Sequence, residues 1–318
     1  MKMTIVRKIG LPGLLITLCI SSVHAQSSRA FHIETPNVGR RADSMLALMS
    51  FSAVPDMTSS NLSMGAGTGS SEKASLIMSQ LAGGDTISKT FPVYLEGGVA
   101  YSRYDPTFVA SNGLEKREVP LKWTSVSASG GIGWDFRIAE NLKLRPIFNF
   151  MIGELASDIT AGSWLLEAKT GRDFDFLQDG HMTAYGVGGS LMLDYEDYKP
   201  EREIDIEWRY SNMQLQSYDS RFQSSAVGES TMLWARWRAP TGMTALSRPV
   251  RYVLEFAHTT YLGDQGGLLG FNHLTSLGTG LELDSSAYGV IITRTRLVFR
   301  YCFGQNVRGT SVGFAVSF

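Results

Sequence analysis

Four histidines, His32, His181, His258 and His273, are the side chains past the N-terminal leader that could act as a general base near neutral pH. A Ser-His-acid hydrolase needs an imidazole held between a hydroxyl and an orienting carboxylate. His181, two residues from Asp179, is the candidate for that role, and a hydrolase built on it is the remotest of the functional readings. His258 and His273 have the parity of apolar-face residues near strand ends, which predicts interfacial or loop positions. Asp173, Asp175 and Asp179 with Gly180 outline a calcium loop, but Phe174 and Phe176 interleave them and the closing glutamate is missing, so a solvated loop is expected. Gly130-Gly131-Ile132-Gly133 lacks the strand-then-helix context of a nucleotide loop and reads as small residues in a packed or bent strand. No catalytic residue, cofactor or metal site is expected from these groups.

The charged residues with functional reach are arginines at period two. Arg294, Arg296 and Arg300 form one row, and Arg236, Arg238 and Arg209 share the polar face of neighbouring segments. Facing an interior, they either bias it towards anions or pair with Glu207, Glu255 and Glu282 across it, and pairing is the favoured reading.

Those rows need strands to carry them. From Phe91 onward apolar and polar residues alternate. Val126, Ala128, Ile132 and Trp134 oppose Ser125, Ser127, Ser129 and Asp135; Ile204, Ile206, Trp208 and Tyr210 oppose Asp205, Glu207 and Arg209. Other segments behave alike, among them one with Phe271, Leu277, Leu281 and Leu283 on its apolar face. Trp234 breaks its segment's parity, and the slip near Asn212 and Met213 predicts a bulge or a membrane edge. About ten segments of roughly ten residues each are the pattern of a membrane-spanning antiparallel β-barrel. Glycines and charges of both signs on the polar face argue against a soluble sandwich. So do short connections (139–141, 197–202, 284–287) alternating with long ones (105–120, 157–179, 218–229). The fold class expected is all-β, a transmembrane antiparallel barrel of about 10–12 strands.

The ends set the compartment. Met1–Ala25 reads as a cleaved secretory signal: Lys2, Arg7 and Lys8, a short apolar run Leu11–Ile20, and small residues before Gln26. Cleavage removes Cys19 and leaves Cys302 as the one cysteine, so no disulfide forms within the mature chain. No later apolar run approaches the roughly 18 residues of a membrane helix. The net charge of −1 favours no nucleic-acid partner. Residues 26–90 form a Ser/Gly/Met-rich segment ahead of a barrel over 91–318. It is expected to hold two short helices, Asp43–Ala53 and Ser71–Ala82, the second able to plug the lumen, with Leu62 and Met64 as a weak strand.

Three stretches, SFSAVPDMTSSNLSM (50–64), EIDIEWRYSNMQLQS (203–217) and the closing GFAVSF (313–318), give the chain a resemblance to solitary outer-membrane autotransporter-like barrels. That family resembles the translocator domain of autotransporters, a twelve-stranded barrel with a lumenal helix, here without a passenger. The resemblance implies residence in the outer membrane of a Gram-negative bacterium. It also implies contact with outer-membrane lipid and lipopolysaccharide, and dealings with periplasmic chaperones and the barrel assembly machinery. Val312, Phe314, Val316 and Phe318, apolar at alternate positions up to an aromatic terminus, are similar to the signal that machinery reads. The function expected is an envelope structural or surface-interaction role, with a small diffusion channel of weak anion preference as the alternative.

Overall fold

In the computed structural model of the chain the described residues are 14–18, 38–55, 61–65, 73–88, 90–111, 116–120, 122–157, 181–218, 224–266, 271–285, 287, 293–305 and 307–317. In chain order they form β1 (Leu14–Leu18), α1 (Val38–Met49) with a 3-10 turn at Ser50–Ser52, β2 (Asn61–Gly65), β3 (Lys73–Thr86), β4 (Val93–Ser111), β5 (Lys116–Pro120), β6 (Trp123–Trp134) and β7 (Phe136–Ala139). There follow β8 (Leu142–Ser157), β9 (His181–Lys199), β10 (Arg202–Ser217), β11 (Ser225–Ala245), β12 (Arg248–Tyr261), β13 (His273–Asp284), β14 (Arg294–Gly304) and β15 (Val307–Ser317).

The period-two segments pair antiparallel with their sequence neighbours, in the order β3, β4, β6, β8 and then β9 to β15. β5 and β7 extend the β6 position, pairing with β4 and β8. β1 closes the ring: it pairs with β15 from Leu14↔Val316 to Leu18↔Val312 and meets β3 at Leu15↔Ala82. β2 lies along the same edge of β3, from Asn61↔Ser79 to Gly65↔Ser75. Eleven long strands and this shared position make a twelve-stranded antiparallel barrel. Tight turns at 140–141, 200–201 and 246–247 fall at one end of the ring. Leu246 and Ser247, at φ 50° and 59°, supply the left-handed turn that matches the twist of a two-residue hairpin. The strand ends flanking residues 158–180 and 219–223 lie at the other end.

The second expected helix is a strand. Lys73–Thr86 pairs residue by residue with β4, from Lys73↔Thr107 to Thr86↔Tyr94. Ile77 and Met78, which share a face in the helical reading, point to opposite sides: Met78 is 1% exposed and Ile77 46%. A continuous ladder outweighs weak helical spacing in a segment of small residues. Gly83-Gly84, read as a helix stop, lies inside the strand, and a Cβ at Gly84 would meet the Tyr94 hydroxyl at 2.2 Å. With the weak strand at Leu62 and Met64 observed as β2, the barrel begins within residues 26–90. The lumenal plug is therefore the first helix, α1, and not Ser71–Ala82.

α1 and the turn after it sit inside the barrel's loop-side half. Leu46, Met49 and Phe51 pack against inward residues of the wall, among them Met78, Met151, Met182, Met213 and Leu215. The Phe51 ring packs in a tilted arrangement 4.6 Å from that of Tyr261 and 6.2 Å from that of Phe271. Ser52 Oγ and Ser127 Oγ lie 2.9 Å apart, and Gln80 Nε2 donates to the Val54 carbonyl at 3.2 Å. This apolar interior corrects two sequence readings and accounts for a third. β10 runs in unbroken register through Asn212↔Glu229 and Met213↔Gly228, so there is no bulge; the parity changes because the lumen turns apolar at this height. Phe271, assigned outward, is 1% exposed against Phe51, and Trp234, out of step with the apolar face of its segment, is inward beside the arginines at 6% exposure.

Gly228 gives α1 its seat, since a Cβ there would stand 2.7 Å from Ser50 Cβ. Gly97 would meet only the Ser129 carbonyl, at 3.5 Å. Gly228→Ala is therefore expected to lower stability by about 1–3 kcal/mol, as overpacking does. Gly97→Ala should leave it nearly unchanged, as read from urea midpoints of the folded protein in detergent.

Candidate functional site

Below α1 the lumen fills with charge. β4, β8, β9 and β10 each aim one polar residue at a common point. Arg209 Nη2 donates to Glu96 Oε1 at 2.6 Å and Nη1 to Oε2 at 2.8 Å, with the two side chains 2% and 1% exposed. Asn149 Nδ2 donates to Glu96 Oε1 at 2.5 Å, and Ser190 Oγ bridges Arg209 and Asn149 at 2.8 and 2.6 Å. Gly131 makes room: a Cβ there would lie 2.6 Å from Asn149 Nδ2 and 2.8 Å from Glu96. Within the Gly130–Gly133 run, Gly130 makes room instead for the Phe150 ring and Gly133 for the Pro146 carbonyl.

Tyr94 links this group to the next. Its hydroxyl reaches Glu96 Oε2 at 3.2 Å, and the Arg145 guanidinium lies 3.9 Å from its ring centre. Arg145 donates to Asp135 at 2.5 Å and to Asp194 at 2.9 Å.

The other arginines of this layer are held by acids on adjacent strands or across the lumen. Arg294 and Arg238 each meet Glu203 at 2.8 Å, and Arg251 meets it at 2.5 Å. Arg236 and Arg238 reach Asp205 at 2.9 and 3.1 Å, and the Tyr198 hydroxyl donates to the same carboxylate. Arg296 pairs with Glu282 at 2.8 Å and Arg300 with Glu255 at 2.6 Å. Arg236 also covers the Trp234 ring at 4.7 Å.

Each arginine of the expected row thus has a carboxylate, and Glu255 and Glu282 are two of the three acids named from sequence. Glu207, the third, faces inward in register with Asp194 and makes no ion pair among the described residues. Glu203 takes the place expected of it. Sequence reading overlooked Glu203 because it stands beside the Pro200–Glu201 turn, although the parity of Asp205, Glu207 and Arg209 extends back to it. Val312 and Phe314 face outward on β15, half-buried; the Val316 side chain and Phe318 lie outside the described residues. His258 and His273 are on the outer wall with rings 5.9 Å apart, and His258 Nδ1 is 2.8 Å from Thr275 Oγ1. The side chain of His181 and all of His32, Asp173, Asp175 and Asp179 lie outside the described residues.

The outer wall is the inverse of the lumen. Ile152 is 64% exposed, Phe148 59% and Phe299 58%, and the outward residues beside them are also apolar. A closed ring with an apolar exterior and charges within is the architecture of a membrane-spanning β-barrel. Among solved structures the fold is that of the β domain of the Bordetella autotransporter BrkA: TM-score 0.50 at 12% identity, covering 98% of this chain and 99% of that one. The chain is also similar, more distantly, to two other autotransporter domains. The transport unit of AIDA-I from Escherichia coli gives a TM-score of 0.43 at 12% identity, covering 87% of this chain and 97% of that one. The translocator domain of NalP from Neisseria meningitidis gives 0.42 at 11%, covering 80% and 85%. No protein-family model and no curated protein matches the sequence.

Removing one member of a buried ion pair strands the other and costs about 3–5 kcal/mol, whereas exposed pairs contribute about 0–1 kcal/mol. Arg209→Ala should therefore destabilise by about 3–5 kcal/mol. Lys199→Ala, removing a side chain 54% exposed and 3.1 Å from Asp197, should have little effect. Denaturant midpoints of the two variants check the contrast.

Proposed function

We propose that this protein is an integral outer-membrane barrel of autotransporter type with a filled lumen, acting in envelope structure or in surface interactions made by its loops. The observation that carries the proposal is the inversion of polarity, with apolar residues outside and paired charges inside. An apolar wall of this extent is unfavourable in water and favourable in lipid. The short-turn end would face the periplasm, and the loop-side end, where α1 lies, the exterior.

The channel reading with anion preference needs arginines in contact with water. Arg209, Arg238, Arg296 and Arg300 have side chains only 2–5% exposed and each already holds a carboxylate, which weighs against it. Cleavage after Ala25 would take β1 from the ring; β2, which also lies beside β15, is then the strand placed to close it. Val312, Phe314, Val316 and Phe318 would act as the signal for the assembly machinery, and lipopolysaccharide would be the lipid beside the loop-side wall.

Two measurements test the proposal. The membrane-extracted protein should migrate faster unheated than boiled, and a cysteine placed at Ser220 should label in whole cells while one at Glu201 should not. A soluble protein with heat-independent migration would overturn it. Phe318→Asp is expected to lower the amount of heat-modifiable protein in the outer membrane, read by fractionation. Normal assembly of that variant would remove the terminal signal from the account.

A further inference from the structure

We infer that the lumen is closed twice, and that the lower closure, made by ion pairs between wall strands, holds without the helix. This rests on the reading of the chain as a membrane barrel and concerns what shuts it.

The geometry behind the inference lies in which strands are joined. Glu96 is on β4 and Arg209 on β10, four positions apart in the ring. With neighbouring strands about 4.8 Å apart, that is roughly 19 Å along the wall, yet the side chains meet at 2.6 Å. They reach each other only by crossing the lumen. Glu203 on β10 and Arg294 on β14 are likewise four positions apart and meet at 2.8 Å. The two struts start from the same strand, six residues apart along it, and run to opposite sides, so they cross the lumen at successive depths. Shorter pairs, such as Arg145 to Asp194 and Arg300 to Glu255, occupy the sectors between them.

None of these ion pairs involves α1. The polar contacts of α1 and its following turn among the described residues go to Ser127, Gln80 and the backbone of Ser225, all nearer the loop end. Two small apolar clusters are interleaved with the charges of the lower layer: Met232, Trp234 and Ala257 on one side, Tyr94, Ile147 and Met192 on the other. The wall glycines are placed for both closures. Gly153 and Gly228 leave space for Met49 and Ser50 of the helical segment, and Gly131 and Gly313 for Asn149 and Arg300 of the ionic layer. A plug held only by its helix would need no such second set. The helix can therefore leave its seat without opening a path for ions.

Conductance across planar bilayers tests this on the full chain. Leu46→Asp with Met49→Asp places charge in the apolar seat and should expel α1; maleimide labelling of a cysteine at Ala47 verifies expulsion. That variant should stay without single-channel current. Arg209→Ala with Arg294→Ala, α1 in place, should also stay closed. Only the combination of both pairs should give current steps. Glu96→Gln with Glu203→Gln, which keeps side-chain volume, replaces the arginine variant if that one fails to assemble. Current from the helix-expelled variant alone, equal to that of the combination, would overturn the inference. So would a combination that labels at Ala47, remains heat-modifiable and stays closed. Loss of heat-modifiable migration in the unaltered protein would instead count against the membrane-barrel reading itself.

Discussion

Arg209 and Glu96 stand a third of the ring apart and meet inside it at 2.6 Å, almost without exposure. A charge taken out of water to that degree is costly unless a partner and further hydrogen bonds replace its hydration. Here Asn149, Ser190 and Tyr94 supply the bonds that the pair leaves open. The requirement propagates along the chain. Each strand that contributes a charge must keep its parity, or the charge would face lipid and the apolar residues the lumen. The unbroken registers of β8 to β10 and β12 to β15 hold that parity.

Function follows from the same separation. The loop-side half of the lumen is apolar and takes the helix; the turn-side half is ionic and takes nothing from it. The barrel's fold is shared with an autotransporter β domain at only 12% identity. What two such sequences must share is therefore the alternation and the arrangement of strands, with few side chains in common.

Most of the barrel was legible because period two is a geometric consequence of the pleat and survives any choice of side chains. Where the lumen is polar the parity of the sequence is clean, as from Asp205 to Arg209. It becomes unreadable where the lumen turns apolar, because both faces then carry similar residues. The bulge expected at Met213 and the outward placement of Phe271 fail for that one reason, whereas the odd parity of Trp234 is real. The strand Lys73–Thr86 was hidden differently: small residues and a chance three-to-four spacing imitate a helix, and only its partner β4 settles the matter. The arginine row was visible, and so were Glu255 and Glu282 among its partners; the match of Arg209 with Glu96 was not, since those two are brought together by closure of the ring and by nothing local.

Cys302 tests the central claim with no substitution at all. It is the one cysteine after residue 25, so cleavage at the proposed site would leave it alone in the chain; it is 2% exposed and points into the lumen two residues beyond Arg300 of the ionic layer. Labelling the folded protein with a small methanethiosulfonate, followed by mass measurement, reports whether water and small solutes reach that point. A lumen filled from both sides predicts no adduct in the folded protein and complete reaction after unfolding. Rapid labelling of the folded, heat-modifiable protein would contradict the account.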